Sequence, residues 1–430
     1  EMLDINFIRE NPKLVKENIK KKFQSERVKK VDELLEKDKK YRELLQKSEK
    51  LRAERNNITS EINLLKKQGE DISKTVKKAK EIPDKIKKIE DVQDKLKEEI
   101  RELLFDIPNM IHKSVPIGKD DKENIVREKI GEPKKLGFDV KSHVEIAEKL
   151  GVVDFDISAK TSGNGFYYLK GDLALLNMAL VNFARDYMVK QGYEYVEPPL
   201  MIRENVLRGV YSHEEIEEMA YKIEDEDLFL IATSEHPLIG MFINKIIDKD
   251  ELPIKITGFS SCFRKEIGSH GIDEKGLFRT HQFNKQEMVV ICEPEDSYKF
   301  YDEMLGHSKA IFKKLGLPIR ERECCSGDLA DLKAKSADLE AWSPRKKEYF
   351  EITSCTNMEA AQARRLNIKV TDGKVKWHAH TLNNTVIATS RAMVAILENF
   401  QQRDGSVKIP KVLQSYMGGK ERIEVKKKIN

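Results

Sequence analysis

Apolar side chains recur at alternating three- and four-residue steps through Leu34, Lys37, Tyr41, Leu44, Ser48, Leu51, Arg55, Ile58, Ile62 and Leu65, where seven of the ten are apolar. That period draws one stripe along a helix, so the stretch must be helical and must bury its stripe on a second helix. The partner lies close by: the same period resumes at Ile82, Ile86, Ile89, Gln93, Leu96, Ile100 and Leu103, with Gly69 in the break at 67–73. A break that short turns the chain back on itself and predicts an antiparallel two-helix coiled-coil hairpin at about 28–104, within an N-terminal arm at 1–105. Pro83 lacks an amide hydrogen and its ring crowds the preceding turn, which predicts a late helix start or a kink near Ile82. Two helices enclose little core, so such an arm suits reaching a distant partner better than forming a small-molecule pocket.

Charge narrows the kind of partner. Residues 1–105 carry 29 Lys and Arg against 23 Asp and Glu, a net +6, whereas the rest of the chain sums to −2. A basic arm on a near-neutral body suits a polyanion, and a solvated Lys/Glu helix face has much the same composition. No apolar run approaches the roughly 20 residues that span a bilayer, and the start of the chain has no hydrophobic stretch of the signal-peptide kind. We therefore expect a soluble, cytoplasmic chain with no membrane partner. Its five cysteines are irregularly spaced and include no C-x-x-C pair, which argues against a disulfide framework or structural zinc and for a reducing compartment.

Pro108, Pro116, Gly118, Gly131, Pro133 and Gly137 fall within thirty residues, so 106–165 reads as a linker leading into the core. Residues 166–430 have the composition of a globular domain. A helix is expected over 173–187 and an extended run over 193–199. Strands are expected at 228–232, 254–262, 282–291, 349–354 and 377–382. Their irregular spacing does not suit repeated βαβ units, so the expected class is α+β, an antiparallel sheet flanked by helices. Neither a Walker-type loop nor a G-x-G-x-x-G after a strand is present, so a nucleotide site here must be built differently.

Three polar clusters could build one. Phe263-Arg264-Lys265-Glu266 closes one strand, a loop with Gly268, Gly271 and Gly276 follows, and Arg279-Thr280-His281-Gln282-Phe283 opens the next. An arginine fork holds phosphate oxygens, a carboxylate accepts from an exocyclic amine and a Phe face stacks on a base. The bland reading is a surface hairpin with ordinary ion pairs. The second cluster, Glu351-Ile352-Thr353-Ser354, offers hard oxygens of the kind Mg²⁺ takes. The third, Asn383-Asn384-Thr385 with Arg391 ahead of the apolar run 392–400, reads by itself as a capped helix.

Together these strings resemble the seryl-tRNA synthetases, a family of class II aminoacyl-tRNA synthetases. Residues 263–266 with 279–283 resemble class II motif 2, residues 383–401 motif 3, and Leu173 through Pro198-Pro199 motif 1. More local strings are similar to the family's own: Thr233-Ser234-Glu235, Ile107-Pro108-Asn109, Ser114 to Gly118, Asp338 to Trp342, Glu351 to Cys355 and Gln362 to Arg365. The similarity spans almost the whole chain, and T-S-E with the G-S-H at 268–270 leans toward the archaeal and eukaryotic type.

The resemblance implies a class II catalytic domain that activates L-serine with ATP to seryl-adenylate and then charges the 3′ end of tRNA(Ser). It assigns catalysis to Arg264, Arg279 and Arg391. Serine would be bound by Thr233, Ser234, Glu235, Arg264, Glu287, Asn383 and Thr385. ATP would be bound by residues 264–266, 279–283, 351–354 and Arg391, with Phe283 and Arg391 on the two faces of adenine, and Mg²⁺ by Glu351 and Ser354. It also implies a homodimer whose basic arm reaches across to the long variable arm of the tRNA, reading shape and phosphates.

Departures are few. The loop reads Gly271-Ile272-Asp273-Glu274-Lys275-Gly276 where G-R-D-T-R-G is common, and Asn284 replaces a usual Glu; these bear on acceptor-stem contacts more than on adenylate formation. His378 and His380 alternate on one expected strand, but no third ligand accompanies them. Cys324-Cys325 reads as core.

Overall fold

A computed structural model describes residues 2–268 and 271–425, and the chain divides into two compact units meeting at Pro108 and Asn109. Ser269 and His270 of the glycine-rich loop lie outside the described residues.

The first unit holds short helices α1 (Ile5–Glu10) and α2 (Pro12–Lys21), then the long pair α3 (Val28–Gln68) and α4 (Ser73–Asp106). Ion pairs between the long helices fix their direction. Lys30 meets Asp106 at 2.6 Å, Lys37 meets Glu99 at 2.8 Å and Arg52 meets Glu90 at 2.6 Å, so position falls along α4 as it rises along α3. The hairpin is antiparallel. Exposed pairs of this kind stabilise little, and the seam does more: Ile58 packs with Ile82 and Ile86 near its far end. Gly69 ends α3 with φ of 73°, and the Glu70 amide reaches back to the Leu65 carbonyl at 3.0 Å, a cap only a left-handed residue permits. The heptad pattern does not reveal α1 and α2. They bury Ile8, Val15 and Ile19 completely, and Arg9 grips the buried Asp38 through two bonds of 2.7 and 2.6 Å.

The late start expected at Pro83 does not occur. Helix α4 begins ten residues earlier, at Ser73, and runs through the proline. Pro83 is exposed while Ile82 and Ile86 beside it are buried. Burying two isoleucines at about 1.5–3 kcal/mol each offsets the roughly 3 kcal/mol that an interior proline costs. Pro83→Ala should restore the missing bond to the preceding turn. Hydrogen exchange on the full chain should then show amides near 84–90 slowed by about tenfold or more; unchanged exchange would mean the proline is not a weak point of the helix.

The second unit is an α+β domain built on one eight-stranded sheet. Its strands are β1 (Ile125–Ile130), β2 (Glu194–Val196), β3 (Ile254–Phe263), β4 (Gln282–Cys292), β5 (Ile319–Glu323), β6 (Lys335–Ser343), β7 (Glu348–Glu359) and β8 (His380–Ala388). They lie in the order β1-β5-β6-β7-β8-β4-β3-β2, antiparallel except for the β2–β3 pair. One face carries helices α5 (Gly171–Lys190), α6 (Ser297–Leu315) and α7 (Thr389–Asn399), whose Leu180, Met304, Phe312 and Ile396 join Met288, Val290 and Leu339 of the sheet in the main core. A second cluster joins Val289, Ile291 and Ile256 to Leu207, Ile239 and Leu366.

Strand β4 explains how the site arises. Its side chains alternate, so even positions 288, 290 and 292 enter the main core and odd positions 289 and 291 the second cluster. Continuing that odd face toward the start of the strand reaches Glu287, Lys285 and Phe283, which line a cavity instead.

Several expected elements differ. The strand expected at 377–382 is two, Lys376–His378 and His380–Ala388, broken at Ala379, so His378 and His380 belong to different strands. Only Phe229–Leu230 of 228–232 is paired as a strand. Asn383 to Thr385 are strand, not helix cap, and the following helix starts at Thr389. Within 106–165 the chain supplies the edge strand β1 and a helix at His143–Leu150. All five cysteines are buried and free.

Candidate active site

Strands β3 and β4 form a hairpin in which Cys262 pairs with Phe283 and Phe263 with Gln282, and the Arg264 amide extends the ladder to the His281 carbonyl at 2.9 Å. This register brings Arg264 beside Phe283, its guanidinium 5.1 Å from the ring centroid. The Arg264 Nε donates to the Ala232 carbonyl at 3.2 Å, so one edge is anchored and the rest of the fork faces the cavity. The loop is held by Asp273, which accepts from the amides of Phe278 and Arg279 at 3.1 and 2.9 Å. Glu266 stands at φ of 52° and accepts from Arg279 at 3.3 Å.

Strand β8 and helix α7 bring the third cluster to the same cavity. Asn383 and Thr385 lie two apart on one face of β8, and Arg391 projects from the first turn of α7. The Arg391 guanidinium stacks on Phe278 with its carbon 4.2 Å from the centroid, and donates to the Phe278 carbonyl at 3.2 Å and the Glu351 carbonyl at 2.9 Å.

Glu351 and Ser354 are three apart, and a regular strand would send them to opposite faces. A bulge prevents that. Leu339 pairs with Thr353 while Glu340 pairs with Glu351, so Ile352 is the extra residue and both oxygen ligands line one cavity. Across the ladder from Ser354 stands Asp338, whose carboxyl is pushed up to about 8 by burial first and then by the Glu351 charge. A buried carboxyl raised by a neighbouring carboxylate favours a cation near the pair, so a hard divalent ion completed by phosphate and water oxygens fits these residues. No cluster of three or more His, Cys, Asp or Glu placed to hold a metal occurs among the described residues.

The cavity measures about 330 Å³ and is lined by Thr233, Glu235, Arg264, Glu266, Arg279, Thr280, Phe283, Glu287, residues 351–354, Asn383, Thr385 and Arg391. Four expected residues do not line it. Ser234 is fully buried and donates to the Gly258 carbonyl at 3.0 Å. Lys265 and Gln282 point elsewhere, and His281 lines a neighbouring cleft. Residues the sequence reading missed include Phe278, Lys285, Lys333, Tyr211 and His236. Lys285 had a signal in its alternation with Phe283 and Glu287. Phe278, in an irregular loop, had none.

The inner end of the cavity is polar and incompletely paired. Glu287, 2% exposed, takes Lys285 at 2.8 Å and the Thr385 hydroxyl at 3.2 Å on Oε1. Its Oε2 is buried without a partner, as is the Asn383 amide nitrogen. Unpaired buried groups are costly, and these two await a donor and an acceptor.

Glu235 accepts from Gln362 at 2.8 Å, and its carboxyl is pushed up to about 7 by burial first and by Glu287 second. The folded chain therefore holds this proton more tightly than the unfolded chain. Stability should fall as pH climbs from about 4.5 to about 7, by at most about 3 kcal/mol, and stay level above that window. Glu235→Gln, neutral throughout, should flatten this limb in urea melts taken from pH 4 to pH 8. An unchanged slope would remove Glu235 as its source.

Comparison with known proteins decides the family. Residues 2–111 match the seryl-tRNA synthetase N-terminal domain and residues 220–400 the tRNA synthetase class II core domain (G, H, P, S and T). The chain is 47% identical to the serine-tRNA ligase of Methanocorpusculum labreanum over 98% of this chain and 100% of that one. The chain belongs to the seryl-tRNA synthetase family. The serine-tRNA ligase of Pyrococcus horikoshii is 43% identical over 99% of both chains. Among solved structures, seryl-tRNA synthetase from that organism complexed with ATP superposes with a TM-score of 0.95 at 42% identity, covering 99% of this chain and 100% of that one. The cytoplasmic serine-tRNA ligase of Naegleria fowleri in complex with AMP gives 0.90 at 33%, with the same coverage. Likeness over both units ties the helical hairpin and the class II sheet to one family rather than to a chance pairing of domains. No helix among the described residues is long and apolar enough to cross a membrane.

Proposed function

We propose that the chain is a serine-tRNA ligase: it joins L-serine to ATP, forming seryl-adenylate and pyrophosphate, then passes the seryl group to the 3′ end of tRNA(Ser). The observation that carries this reading is the inner end of the cavity, where an unpartnered oxygen of Glu287 and an unpartnered amide of Asn383 share one space with the Arg264 fork. A zwitterion with a short hydroxylated side chain satisfies them together. Its ammonium donates to Glu287, its hydroxyl bonds Asn383 and Thr385, and its carboxylate lies on Arg264.

In the first step a serine carboxylate oxygen forms a bond to the α-phosphorus as the bond to the pyrophosphate oxygen breaks. In the second, a terminal tRNA hydroxyl bonds to the seryl carbonyl carbon and AMP departs. Neither step needs a protein nucleophile, so catalysis is positioning and charge neutralisation. Arg264 touches both reacting groups and aligns them. Phe283 offers a face to adenine, Glu266 accepts from its amino group, and Arg279 and Arg391 hold the outer phosphates. Glu351 and Ser354 would hold Mg²⁺, which neutralises triphosphate charge when bound.

A homodimer is supported by apolar surface on α5 and the sheet edge β2: Leu175, Met178 and Val189 are about half exposed, and Tyr195 of β2 is exposed as well. The basic first unit is the surface proposed for tRNA, and the cytoplasm the compartment. Charging of unfractionated tRNA with labelled serine tests the whole: label should enter tRNA only with ATP and Mg²⁺ present, and no labelled tRNA would contradict the proposal.

A further inference from the structure

A second cavity, of about 470 Å³, lies between helix α6 and the outer strands of the sheet and shares no lining residue with the reaction cavity. Tyr301, Leu305 and Lys309, each four residues on from the last, turn one face of α6 toward it, and the alternate residues Glu321 and Glu323 of β5 oppose them. A bulge completes the wall. Val126 pairs with Arg322 and Glu128 with Glu321, so Arg127 is the extra residue of β1. Neighbours that a regular strand would send to opposite faces both meet this one: Arg127 Nε donates to Glu323 Oε2 at 2.5 Å, and Glu128 accepts from Lys309 at 2.6 Å. Room is built in as well. Gly306, in the middle of α6, lines the cavity, and a Cβ added there would meet nothing within 4 Å. Glycine inside a helix costs stability relative to alanine, and no close neighbour requires it here.

The walls balance in charge: Arg127, Lys309 and Lys335 stand against Asp302, Glu321 and Glu323. Most of these groups are engaged. Lys309 also donates to Glu321 at 2.5 Å, and Lys335 donates to the Ser114 hydroxyl at 2.8 Å. Two polar atoms are left over. The hydroxyl of Tyr301, a residue 3% exposed, and Oε1 of Glu323, a residue 5% exposed, are buried without a hydrogen-bond partner, and the Lys335 ammonium stands off that oxygen at 3.5 Å. Burial first, and then Cys355 and Glu323, raise the Tyr301 hydroxyl well above the usual phenol range, so it stays a donor. Walls of equal and opposite charge do not suit a net anion or a net cation. An open donor beside an open carboxylate oxygen suits a molecule that carries an ammonium, a carboxylate and no net charge.

We propose that this cavity binds a free α-amino acid as its zwitterion, at a site separate from the one in the reaction cavity. The ammonium donates to Glu323 Oε1, and the carboxylate accepts from the Tyr301 hydroxyl with Lys335 beside it. The room next to Gly306 takes the side chain. No bond is made or broken there, so the site is one of recognition alone.

The test titrates the full chain in a calorimeter with glycine and each other standard α-amino acid except serine, which the reaction cavity is proposed to hold. Control probes are glycine betaine, which has no N–H, together with succinate and putrescine, which carry one sign of charge only. At least one amino acid should saturate a single site per chain with Kd of about 1 mM or tighter, and none of the controls should saturate in that range. Tyr301→Phe removes a hydroxyl that has no partner, so its melting temperature should equal or exceed the parent's while the amino acid binds about tenfold more weakly. Gly306→Leu fills the room and favours the helix, so it should melt no lower and abolish binding. No saturation by any amino acid would overturn the proposal, as would succinate or putrescine binding equally well, or binding unchanged in both variants. A lower melting temperature with unchanged binding in Tyr301→Phe would also overturn it, by making the hydroxyl a structural group. So would serine-dependent pyrophosphate exchange lost in step with binding, which would place the amino acid in the reaction cavity.

Discussion

Arg264→Ala should lower serine-dependent pyrophosphate exchange by about a thousandfold in kcat/KM while leaving the fold intact. The two effects separate because the side chain does little for stability: its Nε donates to the Ala232 carbonyl at 3.2 Å, a bond worth about 1 kcal/mol. Its contribution to the reaction is larger. A guanidinium that neutralises both the attacking carboxylate and the attacked phosphate acts where charge is redistributed, and loss of one such group costs about 10²–10³ in rate. Arg264→Lys should recover little, since an ammonium cannot span two oxygens in a plane. Exchange kinetics with a thermal melt on the same sample checks both halves, and activity within tenfold of the parent would show that Arg264 is not the bridge.

Glu287 should behave in the opposite way, with stability and binding falling together. Its carboxylate is the counter-ion of Lys285, and both side chains are nearly sealed from water. Glu287→Ala would leave that ammonium buried alone, a change that destabilises proteins by about 3–5 kcal/mol. Glu287→Gln keeps the shape and the bond to Thr385 but not the charge. It should spare most of the stability and raise KM for serine by about ten- to a hundredfold, the worth of a hydrogen bond to an ammonium. An unchanged serine KM in the Gln variant would move the amino group elsewhere in the cavity.

The parts of this molecule legible from sequence are those set by a local period or a short string. The coiled-coil hairpin is written in a 3.5-residue repeat that needs no tertiary knowledge, and strands β3 and β4 in apolar runs on either side of a glycine-rich loop. Strands β1 and β5 were hidden because they do not look apolar. Ile319-Arg320-Glu321-Arg322-Glu323 satisfies its charges sideways, Arg320 and Arg322 on Glu340 and Glu321 on Lys309, so the alternation is of ion pairs rather than of oil and water. Asn383 to Thr385 looked like a helix cap because amide and hydroxyl side chains favour caps; here they are strand residues, Asn383 and Thr385 kept polar by the cavity they face and Asn384, on the other face, by its bond to the Met304 carbonyl at 2.8 Å.

The site was legible as three clusters, but not in how they meet. That Glu351 and Ser354 share a face depends on the bulge at Ile352, which exists only relative to β6. Phe278 lies in a loop with no period and becomes visible only under the Arg391 guanidinium. Pro83 shows the converse, a strong local signal overruled by two buried isoleucines beside it.

One measurement bears most directly on the central claim that these side chains form a single pocket for serine beside ATP. It is ATP–pyrophosphate exchange by the full chain with no tRNA present, run in parallel with serine, alanine and threonine. The account predicts exchange that depends on serine, with alanine poorer by about 10⁴ because it leaves buried polar groups unpaired, and threonine poorer still than serine for want of room. Exchange no faster with serine than without amino acid, or equal with all three, would contradict it.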